Sequence, residues 1–278
     1  MYHYLYMDIR NKKCQNIDYD SENYNTVINL LLKHRSIREY EDKEVPDNII
    51  ETITRAGQQA AFAYQAYSVL LSRKKKKHPF HAPLYFIICV DVHKIGKIME
   101  TRNWKVVMND FSCLIWGLQD AAYMAQNMVI AAESLGLGTC YIGAVPYYAD
   151  KIAEQFKLPK KVFPLVGLTV GYPAEDPPTR PRYPLDFTLF ENEYPELDED
   201  AVNLAKKKMD DGYLSQNYYK NLNAKIGLIG DRKEEFDYET YSWTEHISRK
   251  LVQWEPSPKR LLEQLKKRGF HIQETDNE

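Results

Sequence analysis

Residues 131–143 read AAESLGLGTCYIG, where a long periodic apolar segment gives way to a glycine-rich stretch. Between residues 110 and 135, apolar side chains recur at three- and four-residue steps, and many of them are alanine. This spacing predicts a helix at the centre of the fold, packed closely against another helix or a sheet. Gly136 suits the left-handed cap at the helix end, and residues 140–142 predict a short strand.

Other apolar runs extend this core in both directions along the chain. Strands are predicted at residues 67–71, 84–90 and 165–171. The second, LYFIICV, is apolar without interruption, as in a strand buried on both faces. Further helices are predicted at residues 23–33, from Pro46-Asp47 to Gly57, at 148–156, at 198–211 and from Ser257-Pro258 to Gly269. The proline-rich residues 172–195 predict an extended surface segment. Helices that flank a few strands indicate an α+β fold.

The charge balance of the chain argues against a nucleic-acid partner. The 278 residues include 37 basic and 39 acidic side chains, for a net charge of −2. The one strong local excess, KKKK at residues 74–77, is interpreted as a solvated turn, with phosphate binding as the alternative. No stretch approaches the roughly 20 apolar residues of a membrane span, and the N-terminus has no signal-peptide core.

The cysteines indicate the compartment. Cys14, Cys89, Cys113 and Cys140 have neither C-x-x-C spacing nor the spacing of zinc ligands. Cys89 and Cys140 lie in apolar runs, which predicts buried thiols. Free thiols fit a reducing compartment, so the sequence predicts a soluble cytoplasmic protein without a metal site.

Three separated segments carry groups that bind anions or flat ligands. His34-Arg35-Ser36-Ile37-Arg38 concentrates donors that suit phosphate oxygens. Residues 136–143, GLGTCYIG, let a backbone approach a flat ligand closely. In Arg180-Pro181-Arg182, after Gly171-Tyr172-Pro173, proline stiffens two arginines. Each segment alone also has a structural explanation without a ligand. Residues 34–38 could be solvated surface charges, residues 136–143 a helix cap followed by a strand, and residues 180–182 a surface turn. None of the three contains the G-x-G-x-x-G motif of dinucleotide binding.

Taken together and in this order, the three segments resemble the nitroreductase superfamily, and most closely its branch of larger NADPH-dependent flavin and nitro reductases. The resemblance covers residues 24–194 and continues more faintly through residues 243–247, WTEHI, and the last helix. It implies a three-layer fold, with a central sheet of mixed direction flanked by helices, in an intertwined homodimer. It also implies three parts of the chain: an N-terminal arm at 1–22, an FMN-binding domain at 23–195, and a C-terminal helical extension at 196–278 packing on the dimer.

The resemblance also implies the site residues, with FMN at the dimer interface. Arg35 and Arg182 would hold the phosphate, His34 and Ser36 the phosphate or the ribityl chain, and Arg38 would lie near the pyrimidine edge of the flavin. Arg180 matches a basic residue at the nicotinamide cofactor or the phosphate. Tyr141 belongs to the same set, the backbone of Ile142 and Gly143 would face the ring, and Gln65 matches a glutamine before the first strand.

Two departures from the family pattern affect one side of the flavin. Residues 59–64 read QAAFAY, where the family has a loop rich in serine and threonine. Residues 72–82 are lysine-rich and form a shorter segment than the family has between its first two strands. A polar residue of that longer segment contacts the flavin in the family, and the sequence predicts that this contact is missing here. Phe62 and Tyr64 are candidates to stack on the ring or to fill that space.

The implied function is that of an FMN-dependent oxidoreductase that takes hydride from NADPH or NADH. By a ping-pong mechanism it would reduce flat, electron-poor acceptors such as nitroaromatics, quinones or free flavin. The flavin carries this chemistry, so no catalytic side chain is predicted. The weak candidates for NADPH recognition are Arg232, Lys233 and residues 206–208, which are better explained as solvated charges of a helix or a loop. Two alternatives stand beside this function: a catalytically weak member of the same fold that binds FMN or another phosphate ligand, and a non-enzymatic interaction protein that uses its 21 tyrosines.

Overall fold

The computed structural model describes residues 24–253 and 258–272. Its contacts divide the chain into two compact units. Of the described residues, the larger comprises 34–178 and 258–272, and the smaller comprises 24–33 and 179–253. The expected N-terminal arm and Cys14 lie outside the described residues, and the expected domain boundaries stay a prediction.

The secondary structure follows the predicted order. The strands are β1 (Tyr67–Ser72), β2 (Leu84–Asp91), β3 (Gly138–Ile142) and β4 (Val162–Gly171). The helices of the described residues are α1 (Thr26–Leu32), α2 (Asp47–Gln58), α3 (His93–Glu100), α4 (Asp110–Ser134), α5 (Ala149–Phe156), α6 (Glu199–Ser215), α7 (Tyr218–Asn221), α8 (Trp243–Gln253) and α9 (Pro258–Lys267). The helices α3, α7 and α8 were not predicted. In α3, Gly96 interrupts the pattern and no side chain caps the N-terminus, so the usual start signal is missing.

The larger unit is built on a four-stranded sheet in the order β1-β2-β4-β3. All three neighbouring strand pairs are antiparallel. A parallel bridge joins Ser36 to Thr139, and within the described residues the expected mixture of strand directions is limited to it. As predicted from LYFIICV, β2 is almost wholly buried between its two neighbours.

Helix α4 crosses the sheet and supplies a larger share of the main core than any other element. Its buried side chains include Ala121, Met124, Ala125, Met128, Val129 and Ala132. Small residues set the close approach on both sides. A Cβ on Gly57 of α2 would lie 2.6 Å from Met128 Cγ, and a Cβ on Gly117 would lie 2.4 Å from Val90 Cγ1. The predicted central position of this helix is therefore confirmed.

The last helix belongs to the larger unit. Leu265 and Phe270 are buried in a cluster with Val90 and Phe163, and the rings of Phe163 and Phe270 meet edge-on at 6.4 Å. The buried guanidinium of Arg268 donates to the carbonyls of Val162 at 3.0 Å and Leu158 at 2.8 Å, and also to that of Pro159. This helix ends as predicted before Gly269, whose φ is +84°.

The smaller unit has an aromatic core that the search for apolar runs missed. Met209, Tyr213, Tyr219 and Tyr241 are buried together, with Trp243 packed against them. At the side of this cluster, the buried guanidinium of Arg249 pairs with Glu234 and Glu245. These tyrosines supply a core, which weakens the case for an interaction protein whose tyrosines form a binding surface.

The structure also tests the predictions for the lysine run and for two cysteines. Residues 74–77 form an exposed turn, in which Lys75 pairs with Asp42. Cys89 and Cys140 are buried, and burial raises the pKa of the Cys89 thiol to about 12. No helix in the described part of the chain combines the length and the apolar character that a membrane crossing needs.

Candidate functional site

Two of the three sequence segments lie side by side in the larger unit. Ser36 pairs with Thr139 in the parallel bridge, and the amide of Ile37 donates to the Thr139 carbonyl at 2.8 Å. Ile37 is buried against Gly138, where an added Cβ would lie only 2.6 Å from Ile37 Cγ1. The structure thus brings residues 34–38 against the glycine-rich residues 136–143, and the missing side chain of Gly138 permits the contact.

His34 is held by a residue that the sequence did not single out. Its Nδ1 lies 2.8 Å from Oε1 of Glu133, in the last turn of α4. The hydroxyl of Thr139 donates to the same oxygen at 2.8 Å. The side chains of His34 and Glu133 are 30% and 14% exposed, so the imidazole reaches the surface while its carboxylate partner lies beneath.

The arginines of the first segment meet two neighbouring acids. Arg35 forms an ion pair with Asp176. The amides of Arg38 and Glu39 both donate to Oε1 of Glu175, the second at 3.1 Å. Residues 38–41 and 172–175 run side by side through the antiparallel bridge between Tyr40 and Pro173, which places these acids beside the predicted anion donors.

The end of β3 offers an open backbone edge. Tyr141 and Ile142 are half-buried, and a Cβ built on Gly143 would meet no atom within 4 Å. Burial raises the pKa of the Tyr141 phenol, and the charge of Glu133 adds to this effect. This free space beside Gly143 is the kind of surface that a flat ring can approach.

Gln65 lies in a loop that a buried carboxylate holds. Asp120, 1% exposed in α4, accepts the amides of Ala63 at 2.6 Å, Tyr64 at 3.0 Å and Ala66 at 3.0 Å. Between them the exposed Gln65 adopts a φ of +56°, a conformation that is uncommon for a residue with a side chain. The sequence signal for this role was an aspartate inside an otherwise apolar helix stripe.

Two aromatic side chains flank the same loop. Phe62 and Tyr64 are 51% and 41% exposed, and the ring of Tyr64 lies 5.9 Å from that of Trp116. The short connection that follows β1 consists of two single turns, Lys75–Lys77 and Pro79–His81. Both side chains are exposed, and whether they stack on the ring or fill the space beside it stays a prediction.

Arg180 and Arg182 belong to the smaller unit. The guanidinium of Arg180 lies 4.1 Å from the ring centroid of Tyr218 and donates to Gln216 Oε1 at 2.6 Å. Arg182 donates to the carbonyls of Arg180 at 2.9 Å and Pro181 at 3.0 Å. Both side chains are thus oriented by their own surroundings, and their grouping with Arg35 stays a prediction.

The donors of the larger unit fit the chemistry of FMN. A phosphate needs several N–H and O–H donors within a short span, which His34, Arg35 and Ser36 supply. A flavin ring needs a backbone edge that no Cβ blocks, which Gly143 supplies.

Comparisons with known proteins identify the family of the chain. A sequence model of the Nitroreductase family matches residues 70–172. The oxygen-insensitive NADPH nitroreductase of Salmonella typhimurium is 30% identical over 257 residues, which cover 87% of this chain and 97% of that protein. The chain belongs to the nitroreductase family. This membership confirms the resemblance read from the three segments and the α+β nitroreductase-like fold.

Other members of the nitroreductase family are similar over much of the chain. A protein of Bacillus subtilis named FMN reductase (NADPH) is 33% identical over 208 residues, 68% of this chain and 84% of that protein. The solved structure of the NfrA1 nitroreductase from B. subtilis superposes with a TM-score of 0.73 at 29% identity, covering 88% of this chain and 98% of that one.

Proposed function

We propose that this nitroreductase-family chain is an FMN-dependent oxidoreductase fed by NADPH or NADH. Its acceptors are small, flat and electron-poor, such as nitroaromatics, quinones or free flavin. The observation that carries the proposal is the contact of residues 34–38 with residues 136–143, because it places anion donors beside an open backbone edge. Bound FMN supplies the transfer of hydride and electrons, and the protein supplies position and electrostatics.

Each predicted side chain has a task in this proposal. His34, Arg35 and Ser36 hold the phosphate and the ribityl chain, and Arg38 lies toward the pyrimidine edge. The backbone of Tyr141, Ile142 and Gly143 faces the ring, with Gln65 at its border. The proposal also assigns Arg182 to the phosphate and Arg180 to the phosphate or the nicotinamide cofactor.

A homodimer is part of the same proposal. The larger unit exposes large apolar side chains on one helix face and the loop before it, namely Trp104 (68% exposed), Val107 (95%), Phe111 (56%), Ile115 (39%), Trp116 (43%) and Tyr123 (49%). Large apolar side chains that are exposed on one element in this number are typical of an interaction surface. A second copy of the chain covers this face and completes the cofactor site.

A cytoplasmic location accompanies this function. Cys89, Cys113 and Cys140 are free thiols. Free thiols and a supply of reduced nicotinamide cofactor are both features of a reducing compartment.

The second candidate is a member of this fold that binds FMN or another phosphate ligand but turns over weakly. The observation in its favour is the loop at residues 59–64, which has no serine or threonine and exposes Phe62. With fewer polar contacts on that side, the ring would be held less precisely for hydride transfer.

A visible absorption spectrum of the purified protein separates the candidates. The oxidoreductase shows a flavin band that bleaches when NADPH or NADH is added without oxygen. A flavin band that persists after NADPH and NADH have each been added without oxygen supports the weak-turnover candidate. A colourless protein that takes up no added FMN contradicts the cofactor assignment.

A further inference from the structure

Glu133 lies where the two site segments of the larger unit meet. One of its oxygens, Oε1, contacts both His34 Nδ1 and the hydroxyl of Thr139, each at 2.8 Å. Thr139 is itself the bridge partner of Ser36, and its carbonyl accepts the amide of Ile37. A single carboxylate oxygen therefore links the ring of His34 to the strand end that holds the neighbouring residues of the same segment.

The contact with Glu133 determines which ring nitrogen of His34 is free for a ligand. A carboxylate accepts hydrogen bonds, so Nδ1 carries its hydrogen toward Glu133. The other nitrogen, Nε2, lies on the far side of the ring, and the side chain is 30% exposed. An anion at Nε2 needs an N–H donor there, and the imidazole separates that anion from the carboxylate of Glu133.

Other groups around this carboxylate are consistent with a charged role. Glu133 is 14% exposed, which shields it from water, and both of its contacts come from hydrogen-bond donors. Its charge also contributes, after burial, to the raised pKa of Tyr141. Arg35 pairs with Asp176 instead, so Glu133 does not neutralise the phosphate-binding guanidinium.

We propose that Glu133 is the positioning residue of the phosphate end of the cofactor site. It fixes the ring of His34 with Nε2 available to the FMN phosphate and ties that ring to Thr139. This inference rests on the proposed function, because it assigns the anion at Nε2 to the phosphate of FMN.

The test compares FMN with riboflavin, which has the same ring and ribityl chain but no phosphate. The full chain, freed of flavin, is titrated with each ligand by flavin fluorescence, as wild type and as Glu133→Ala, Glu133→Gln and Glu51→Ala. Glu51 is an exposed helix carboxylate that pairs with Arg55 far from the site motifs in sequence, so its variant is the matched control.

The Glu133→Ala variant should raise the Kd for FMN about tenfold, the size of one charge-assisted hydrogen bond, and change the Kd for riboflavin less than about twofold. Glu133→Gln should fall between wild type and Glu133→Ala, because its amide oxygen still accepts from Thr139 and from Nδ1–H but carries no charge. Glu51→Ala should match wild type with both ligands. An equal loss for FMN and riboflavin, or no loss for FMN, overturns the positioning role.

A second readout does not depend on FMN binding. Nitrogen-15 NMR of the flavin-free chain, with the His34 signal assigned by its loss in His34→Asn, reports which ring nitrogen is protonated. Wild type should show a protonated Nδ1, and Glu133→Ala should lose that preference. An unchanged signal contradicts the contact itself. Wild type with a protonated Nδ1 could still bind FMN and riboflavin with equal Kd. That result would contradict the phosphate assignment in the proposed function, and this inference with it.

Discussion

Asp176 pairs with Arg35, the guanidinium that we assign to the cofactor phosphate. The two side chains are 80% and 39% exposed, so the contact is accessible to solvent and to a competing anion. A phosphate that binds Arg35 has to share it with this carboxylate or displace it. The chain therefore carries its own competitor beside the predicted anion site.

The first prediction follows from that competition. Asp176→Asn should bind FMN more tightly, by about two- to fivefold, because an exposed ion pair contributes only about 0–1 kcal/mol. The gain should shrink as salt screens the charges. Titration of the flavin-free chain at low and high salt measures both effects. Asp42→Asn, which removes the exposed partner of Lys75, is the control and should change neither value. Weaker FMN binding by Asp176→Asn would show that Asp176 supports the site instead of competing for it.

Loss of Arg35 itself should have the opposite effect. Arg35→Ala should weaken FMN binding by at least about tenfold, because one charged donor fork to the phosphate is removed. The dimer should remain folded by size-exclusion chromatography and circular dichroism. Arg35→Lys should fall in between, since it keeps the charge but not the fork. The control is Arg55→Ala, which removes an exposed arginine of α2 and should bind FMN as wild type does. Unchanged FMN affinity in Arg35→Ala would contradict the phosphate assignment.

Asp120 should matter for stability as well as for the site. Asp120→Ala removes the acceptor of three amides from the loop that contains Gln65, one of them buried and two partly buried. We expect a loss of about 3 kcal/mol in the free energy of unfolding, since these amides are left without partners. Urea denaturation measures this loss. Asp231→Asn, an exposed loop position, should stay within about 0.5 kcal/mol of wild type. If Asp120→Ala has the same urea midpoint of unfolding as wild type, the hydrogen bonds from this loop to Asp120 do not stabilise the fold.

The buried His78 predicts a loss of stability in acid. Its Nε2 and Nδ1 lie 2.8 Å from the Ser72 hydroxyl and the Ala82 carbonyl, and burial lowers its pKa. The unfolded chain then binds the proton first, so this stability is complete above the unfolded pKa of about 6.5 and is lost as the pH falls below it. Urea titrations at pH 7.5 and pH 5 should show the decrease.

The variant His78→Gln isolates this residue from other titrating groups. It should have a smaller difference in unfolding free energy between the two pH values than wild type does. The pKa of His246 is also lowered, by burial and then by the nearby Lys250, and its contribution should persist in both proteins. An identical pH difference with and without His78 would rule out this source of acid sensitivity.

The exposed face of α4 predicts the assembly. Ile115→Asp places a charge on that face, and we expect a monomer that has lost most of its FMN affinity, measured by light scattering and by titration. Leu185→Asp, at a position 65% exposed in the smaller unit and outside the extension at 196–278, is the control and should remain dimeric. A wild-type monomer, or an Ile115→Asp dimer with full FMN affinity, would contradict the proposed homodimer.

The sequence was most informative where one pattern determines one element. The alanine-rich stripe predicted α4, and LYFIICV predicted the buried strand β2, because periodicity and burial are directly linked. The adjacency of residues 34–38 and 136–143 followed from the family resemblance and not from local patterns. The structure adds the reason for it, which is the packing of Ile37 on Gly138.

The partners of the supporting residues of the site were not predictable from local patterns. Glu133 and Asp120 lie in a helix whose apolar stripe dominates the sequence, and their partners are distant along the chain. The core of the smaller unit was missed for a related reason. Tyr213, Tyr219 and Tyr241 carry polar hydroxyls, so a search for apolar runs overlooks the ring area that they bury.

The contacts of Arg268 and Phe270 with the larger unit have a consequence for the order in which this protein folds during synthesis. The place beside Phe163 that Phe270 fills is created by residues 34–178, and residues 179–253 of the smaller unit lie between the two in sequence. A ribosome makes the chain from its N-terminus, so residues 34–178 are complete before Phe270 exists. The core beside Phe163 therefore stays open until the smaller unit has also been synthesised.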